Sequence, residues 1–265
     1  MLCLLLDTSK ILRVKSTPTT RTSRWLGRRY LFHIGRHGIP TFAGLLYVGF
    51  ALGVAFGGHE TGLGYSRFAP AALILLVFAL IGARIWYFIG HPQSLAEGAV
   101  RVQDAGAALY GGLVLSFAVS WPVLHLMGLE FWRAWDGVGI IMLVGMAVTR
   151  IGCLINGCCS GRETQGPFGL WLPDERGEWK RRYPTQLFEA GWSAMILGVG
   201  VWLYEPSARP GLLFLGSAAA YGTGRLGLEL LRADAASTAL PTRLNVAFSA
   251  VLAAVSLGAF VLKLR

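Results

Sequence analysis

Val138-Gly139-Ile140-Ile141-Met142-Leu143-Val144-Gly145-Met146-Ala147-Val148-Thr149-Arg150-Ile151-Gly152-Cys153-Leu154-Ile155-Asn156-Gly157-Cys158-Cys159-Ser160-Gly161-Arg162 is an apolar run that ends in arginine and glycine. The apolar part suits a helix in a bilayer. Arg150 then falls at or just inside the membrane boundary. An ionisable group costs roughly 2.5–3.5 kcal/mol at the centre of an inserted helix, and less near the interface. A group kept there is a functional-site candidate.

The rest of the chain agrees with a membrane protein. It has 265 residues, of which 54% are hydrophobic and only 14% charged. Soluble domains carry about 25% charged residues. Mean hydropathy is +0.53. Apolar stretches recur near 40–56, 70–89, 105–126, 137–156, 186–204, 211–231 and 244–262. Each approaches the roughly 20 residues needed to cross the hydrocarbon core. The expected fold is therefore all-α: a polytopic bundle of seven transmembrane helices with a small extramembrane cap. Trp86, Tyr87, Trp121, Trp132, Trp135, Trp192 and Trp202 lie near span ends, where interfacial aromatics belong. Glycines inside the spans, among them Gly44, Gly49, Gly53, Gly139 and Gly145, favour close helix packing.

Residues 1–38 form a basic leader, expected to be flexible, and 39–265 a single domain. Within that domain, loop 158–183 is mixed in charge and is expected to fold on the membrane surface. The formal net charge of +10 suits anionic lipid headgroups. Nucleic acid is not an expected partner, because the basic residues are not interleaved with aromatics on a soluble face. Cys3, Cys153, Cys158 and Cys159 include no second pair at zinc spacing. No disulfide framework, metal or cofactor is expected.

Several constellations can carry chemistry. Tyr221, Arg225 and Glu229 recur at i, i+4, i+8 on one helical face, with Arg232 a turn further. Arg150 and Arg225 together can clamp a phosphate, since guanidinium forks match its oxygens and stay charged when desolvated. Glu229 alternatively pairs with Arg225 or Arg232 and locks the bundle. Tyr110-Gly111-Gly112 opens the third span, and its glycines admit a ligand or a neighbouring helix. Gln186 and Glu189 on an entering helix line a cavity or serve capping and interfacial solvation. Pro184 before them suits a first helical turn. Arg84 joins the anionic site or snorkels. A thiolate among Cys153, Cys158 and Cys159, near Arg150 or Arg162, is a candidate nucleophile. Otherwise these are small buried hydrophobes in tight turns.

These residues resemble a known family, the prolipoprotein diacylglyceryl transferases. The resemblance rests on Arg150-Ile151-Gly152 with Ile155-Asn156-Gly157 and Gly161-Arg162. Tyr110-Gly111-Gly112-Leu113, Tyr183-Pro184-Thr185-Gln186-Leu187-Phe188-Glu189 and Tyr221-Gly-x-Gly-Arg225-x-x-x-Glu229-x-x-Arg232 follow in the family's order. It covers Ile39 to the C-terminus. It implies a multi-pass protein of the bacterial inner membrane. It also implies transfer of the diacylglyceryl group of phosphatidylglycerol to the lipobox cysteine of a prolipoprotein, with glycerol phosphate leaving. In that reading Arg150 and Arg225 hold the phosphate, Asn156 and Tyr221 orient it, Glu229 positions Arg225, and Tyr110 is the candidate base. Arg84, Gly111, Gly112, Gly157, Gly161, Arg162, Gln186, Glu189 and Arg232 line the substrate site. Tyr110, Cys153 and Cys158 stand where the family pattern has histidine, asparagine and glutamate. Alternatives are a family member with another acceptor and a lipid-binding or transport protein. Basic-residue counting places the leader and loop 158–183 in the cytoplasm. The resemblance places them outside, and that orientation is adopted.

Overall fold

The structure is a computed structural model that describes residues 26–27, 30–34, 37–90, 109–174, 177–205, 209–232 and 240–265. Cys3, His91 and most of the basic leader lie outside the described residues. Among those described, the order is β1 (Tyr30–Ile34), β2 (His37–Pro40), α1 (Thr41–Glu60), α2 (Tyr65–Gly90), α3 (Leu109–Leu126), α4 (Phe131–Asn156), β3 (Leu170–Pro173), β4 (Trp179–Arg182), α5 (Thr185–Trp202), α6 (Leu212–Glu229) and α7 (Leu240–Leu264).

Four helical segments are long and apolar enough to cross a membrane: Thr41–Glu60, Tyr65–Ile89, Phe131–Asn156 and Arg243–Leu264. The apolar α3 is shorter, and α5 and α6 carry polar site residues. The protein is thus a helical membrane protein. Two expectations are corrected. Residues 30–38, assigned to a flexible leader, contain most of the antiparallel hairpin β1–β2, which runs straight into α1. Pro184 is the residue capping α5 rather than a member of its first turn.

The seven helices described run alternately up and down. Small residues set the closest approaches. Along α1, Gly49, Gly53 and Gly57 recur every fourth residue and meet the backbone of Gly145, Ile141 and Gly137 on α4. A Cβ at Gly53 would lie 2.8 Å from the Ile141 Cα. Two helices can approach this closely only where side chains are missing, which is the usual basis of small-residue packing in lipid. On the next pair, Gly82 of α2 and Gly111 of α3 press backbone on backbone, and a Cβ at Gly112 would meet the Ala79 carbonyl at 2.8 Å. Ser116 Oγ donates to the Leu75 carbonyl (2.9 Å) in the same contact.

The core sits where α1, α2, α3, α4 and α6 meet. Trp135 and Phe68 are fully buried there, and Trp135 packs on Phe214 with ring centroids 4.8 Å apart. Trp135 Nε1 donates to Ser120 Oγ (3.0 Å), which satisfies its one polar group. Trp135 is therefore a core residue, not the interfacial aromatic expected. Trp192 is likewise drawn inward and donates to the Ala220 carbonyl (3.2 Å). Trp121 and Trp202 do stand exposed.

Helix α4 begins earlier than its apolar run suggested, and so takes in Asp136. This fully buried carboxylate accepts from the Gly211 N–H (2.6 Å), the Phe214 N–H (2.9 Å) and the Tyr204 hydroxyl (3.3 Å). It thereby satisfies amides that the start of α6 leaves without helical partners. Burial, with the Asp136 carboxylate beside it, raises the Tyr204 phenol above its ordinary range.

At its other end α4 stops at Gly157. That glycine is left-handed (φ 76°), and its N–H caps the Cys153 and Leu154 carbonyls. The cap of the molecule starts here. Strands β3 and β4 pair antiparallel, from Leu170 opposite Arg182 to Pro173 opposite Trp179. The Arg182 guanidinium bonds Asp174 (3.0 Å) beneath the hairpin. On its exposed side Lys180 pairs with Glu163 (2.8 Å), which lowers the carboxyl and raises the ammonium pKa. Backbone bonds Gly161 N to Tyr183 O (2.9 Å) and Arg162 N to Leu231 O (2.9 Å) stitch the cap to the start of α5 and the end of α6.

Candidate functional site

Helices α4, α5 and α6 each bring charge to one buried place beneath the cap. Glu189 of α5 is its hub, with a side chain only 3% exposed. Its Oε1 accepts from Arg150 Nη2 of α4 (2.8 Å) and from the Tyr221 hydroxyl of α6 (2.9 Å). Its Oε2 accepts from Arg225 Nη1 of α6 (3.3 Å). Arg225 Nη2 reaches on to Glu229 (3.1 Å), and Glu229 to Arg232 Nε (3.6 Å). The result is an alternating chain, Arg150–Glu189–Arg225–Glu229–Arg232. Three positive charges and two negative ones leave it one positive charge in excess. A buried charge must be paired to be tolerated.

Local sequence explains each position. Tyr221, Arg225 and Glu229 share a face by their four-residue spacing. Glu189 faces them because α5 enters the bundle beside the cap, with Thr185 Oγ1 donating to the Cys159 carbonyl (2.8 Å) and Gln186 Nε2 to the Cys158 carbonyl (2.7 Å). Gln186 is buried and its Oε1 has no partner among the described residues.

Next to the charges lies an apolar cavity of about 30 Å³, lined among others by Leu113, Gly139, Met142, Leu143, Met146 and Leu252. Tyr110 and Tyr221 also line it, and Tyr221 belongs to both the cavity and the ion chain. Tyr110 is buried, and its hydroxyl bonds Ser249 Oγ, which itself donates to the Asn245 carbonyl (2.7 Å). The Tyr110 hydroxyl is therefore the donor of that pair.

Other expected site residues are spread around this centre. Gly111 and Gly112 meet α2, so the helix rather than a ligand is what approaches them. Arg84 lies on α2, half-buried. Asn156 sits on the last turn of α4, its amide 3.7 Å from Cys158 Sγ. Gly157 and Gly161 serve the cap, where a Cβ at Gly161 would lie 2.5 Å from the Leu231 carbonyl. Arg162 stacks over the Tyr183 ring at 5.8 Å. Arg232 ends the ion chain. Ser249 and Asp136 were not singled out in the sequence. A carboxylate at the mouth of an apolar run was the available signal for Asp136, whereas nothing local marks Ser249.

Cys158 is disulfide-bonded, which corrects the expectation of no disulfide, whereas Cys153 and Cys159 keep their thiols. The hydrogen bond from the Cys153 thiol, with Arg150 close by, holds Cys159 below the usual thiol range against the cost of burial.

Bilayer-length helices around a buried chain of ion pairs, set beside an apolar cavity, define an integral membrane protein with a charged site inside its helical bundle. The sequence pattern of the family described as prolipoprotein diacylglyceryl transferase matches residues 29–262. The chain belongs to that family. Similar relatives are each named phosphatidylglycerol–prolipoprotein diacylglyceryl transferase. The protein of Solidesulfovibrio magneticus is 30% identical over 71% of this chain and 76% of its own. That of Acaryochloris marina is 27% identical over 77% and 79%, and that of Shouchella clausii 28% over 78% and 79%.

Proposed function

We propose that this chain transfers the diacylglyceryl group of phosphatidylglycerol to the lipobox cysteine thiol of a prolipoprotein, in a bacterial inner membrane that all seven helices cross. The observation that carries this reading is the convergence of the Arg150 and Arg225 guanidiniums on Glu189 beside the apolar cavity. A phosphodiester offers anionic oxygens that guanidinium donors match, and the cavity adds an apolar wall beside them.

In this reading Glu189 spaces the two guanidiniums and the lipid phosphate bonds their remaining donors. The acceptor sulfur attacks the glycerol carbon, the carbon–oxygen bond to phosphate breaks, and glycerol phosphate departs with the bonding pair. Charge grows on the phosphate as it leaves, so fixed guanidiniums stabilise the transition state more than the bound lipid. The thiol proton ends on the released phosphate. The Tyr110 hydroxyl is held by Ser249 and that of Tyr221 by Glu189, so the acceptor's proton is not assigned to either. A cysteine of this chain does not serve as a covalent carrier, since its thioether would not release the lipid again. Residues 39–265 act as one domain, and nucleic acid has no part.

Purified protein, phosphatidylglycerol and a lipobox peptide, analysed by mass spectrometry, test the proposal. A diacylglyceryl thioether on the peptide, absent with Arg225→Ala, is expected. Lipid binding without an adduct would instead favour the binding-protein reading, which Tyr110 and Cys158 at family-divergent positions otherwise support.

A further inference from the structure

One turn of α5 above Glu189, a buried amide is only half satisfied. Gln186 is 2% exposed, and its Nε2 donates to the Cys158 carbonyl (2.7 Å). That bond fixes which end of the amide is which, because a carbonyl can only accept. Oε1 is the other end, and among the described residues it has no hydrogen-bond partner. A buried polar group in that condition costs free energy until something bonds it. Oε1 accepts and cannot donate, so whatever completes it must bring an O–H or an N–H.

Its place follows from the helices. Gln186 and Glu189 lie three residues apart on α5 and share a face. Both reach toward α4: Gln186 to the Cys158 carbonyl just past its end, Glu189 to Arg150 before it. At 1.5 Å per residue, Gln186 stands about 4.5 Å nearer the cap than Glu189. The cavity lies on the other side of the guanidiniums. Met142, Leu143 and Met146 line it from α4, all before Arg150, and Phe214, Ser217 and Tyr221 from α6, all before Arg225. Both helices end at the cap, so these residues lie deeper than the arginines. The order from the cap inward is an unpaired acceptor, two guanidiniums and an apolar cavity.

A phospholipid with its phosphate on the guanidiniums and its tails toward the cavity turns its headgroup toward Gln186. We propose that Gln186 reads that headgroup: Oε1 accepts a hydrogen bond from a headgroup hydroxyl and selects anionic phospholipids that carry one. This rests on the lipid-transfer reading above and adds the residue that tells one anionic phospholipid from another. A site built to bond a hydroxyl rejects an analogue without it, because its own buried group is then left unpaired. The hydroxyl belongs to the departing glycerol phosphate but lies away from the carbon–oxygen bond that breaks. The hydrogen bond is therefore the same in the bound lipid and in the transition state, and its loss raises KM while leaving kcat.

The test uses the full chain in detergent and two lipids of equal charge and equal acyl chains. One is phosphatidylglycerol, and the other is phosphatidylpropanol, which lacks both headgroup hydroxyls. Adduct formation on a lipobox peptide gives kcat and KM, and competition against a fluorescent phosphatidylglycerol gives affinity. For the parent, KM and competing affinity should be about tenfold or more weaker with phosphatidylpropanol, and kcat within about threefold. Gln186→Met removes both ends of the amide and should handle the two lipids alike. Gln186→Glu gives up the same amide donor to Cys158 but keeps an acceptor, and should keep the preference. That split between the variants separates headgroup reading from support of the cap. Should Gln186→Met fail to fold, the parent and Gln186→Glu still decide the matter through the two lipids. Equal handling by the parent, or a preference that survives Gln186→Met, would overturn the proposal. Selective binding that follows Gln186, without any adduct, would overturn the transfer reading and leave the headgroup assignment standing.

Discussion

At Glu189 one carboxylate accepts from Arg150 and Tyr221 through one oxygen and from Arg225 through the other. Glu189→Gln keeps the shape but leaves two buried guanidiniums without their shared countercharge. Removing one partner of a buried ion pair costs about 3–5 kcal/mol. Thermal unfolding in detergent should show a large destabilisation. Lipid transfer should fall about 100-fold, as expected when substrate-positioning groups shift. Tyr110→Phe makes the opposite prediction. It removes one hydrogen bond to Ser249, worth about 1 kcal/mol, from a residue to which no proton transfer is assigned. Transfer should stay within about tenfold of the parent, and a loss of a thousandfold or more would make Tyr110 a base after all. Arg150, Arg225 and Glu229 were legible as single residues, because charge within an apolar run stands out. Glu189 was visible as a lining residue, but its partners lie 39 and 36 residues away. Periodicity along one helix cannot report them.

Among the elements, the seam between α1 and α4 has the least room. Gly53→Leu places a side chain where even a Cβ would lie 2.8 Å from the Ile141 Cα. Overpacking of this kind costs about 1–3 kcal/mol or more, and should lower both the unfolding temperature and the yield of membrane-inserted protein. Gly145→Ala, with open space at its Cβ, should be tolerated. At the start of α6, Asp136→Ala orphans the Gly211 and Phe214 amides and the Tyr204 hydroxyl. Each buried group left unpaired costs about 1–3 kcal/mol. Fraying at residues 211–214, read by amide hydrogen exchange, should be the first sign. The glycines of the seam were expected to pack helices. Which helix each would face was not readable, since α4 could meet α1, α5 or α6 with the same apolar surface.

Over the whole molecule, the alternation of seven helices puts the cap and the C-terminal residues at opposite ends. Gly27 N bonds the Ile155 carbonyl (2.7 Å) at the cap end of α4. Lys263 lies over the Trp132 ring (4.2 Å) at the other. With the cap outside, a reporter fused after Lys263 should read cytoplasmic and one within loop 158–183 external. A periplasmic reading at Lys263 would invert the proposed orientation. Composition and apolar segment length were enough to establish a helical membrane protein, because hydrocarbon admits few backbones and demands long apolar runs. The ordered motifs around Arg150, Tyr183 and Tyr221 were enough to point to the family. The tertiary structure alone decided that Glu189 joins both arginines, that Trp135 is core and that Asp136 caps α6. Each of these is a contact between elements distant in sequence. Pairing a buried charge or polar group depends on where helices come to rest against one another, and no local pattern encodes that.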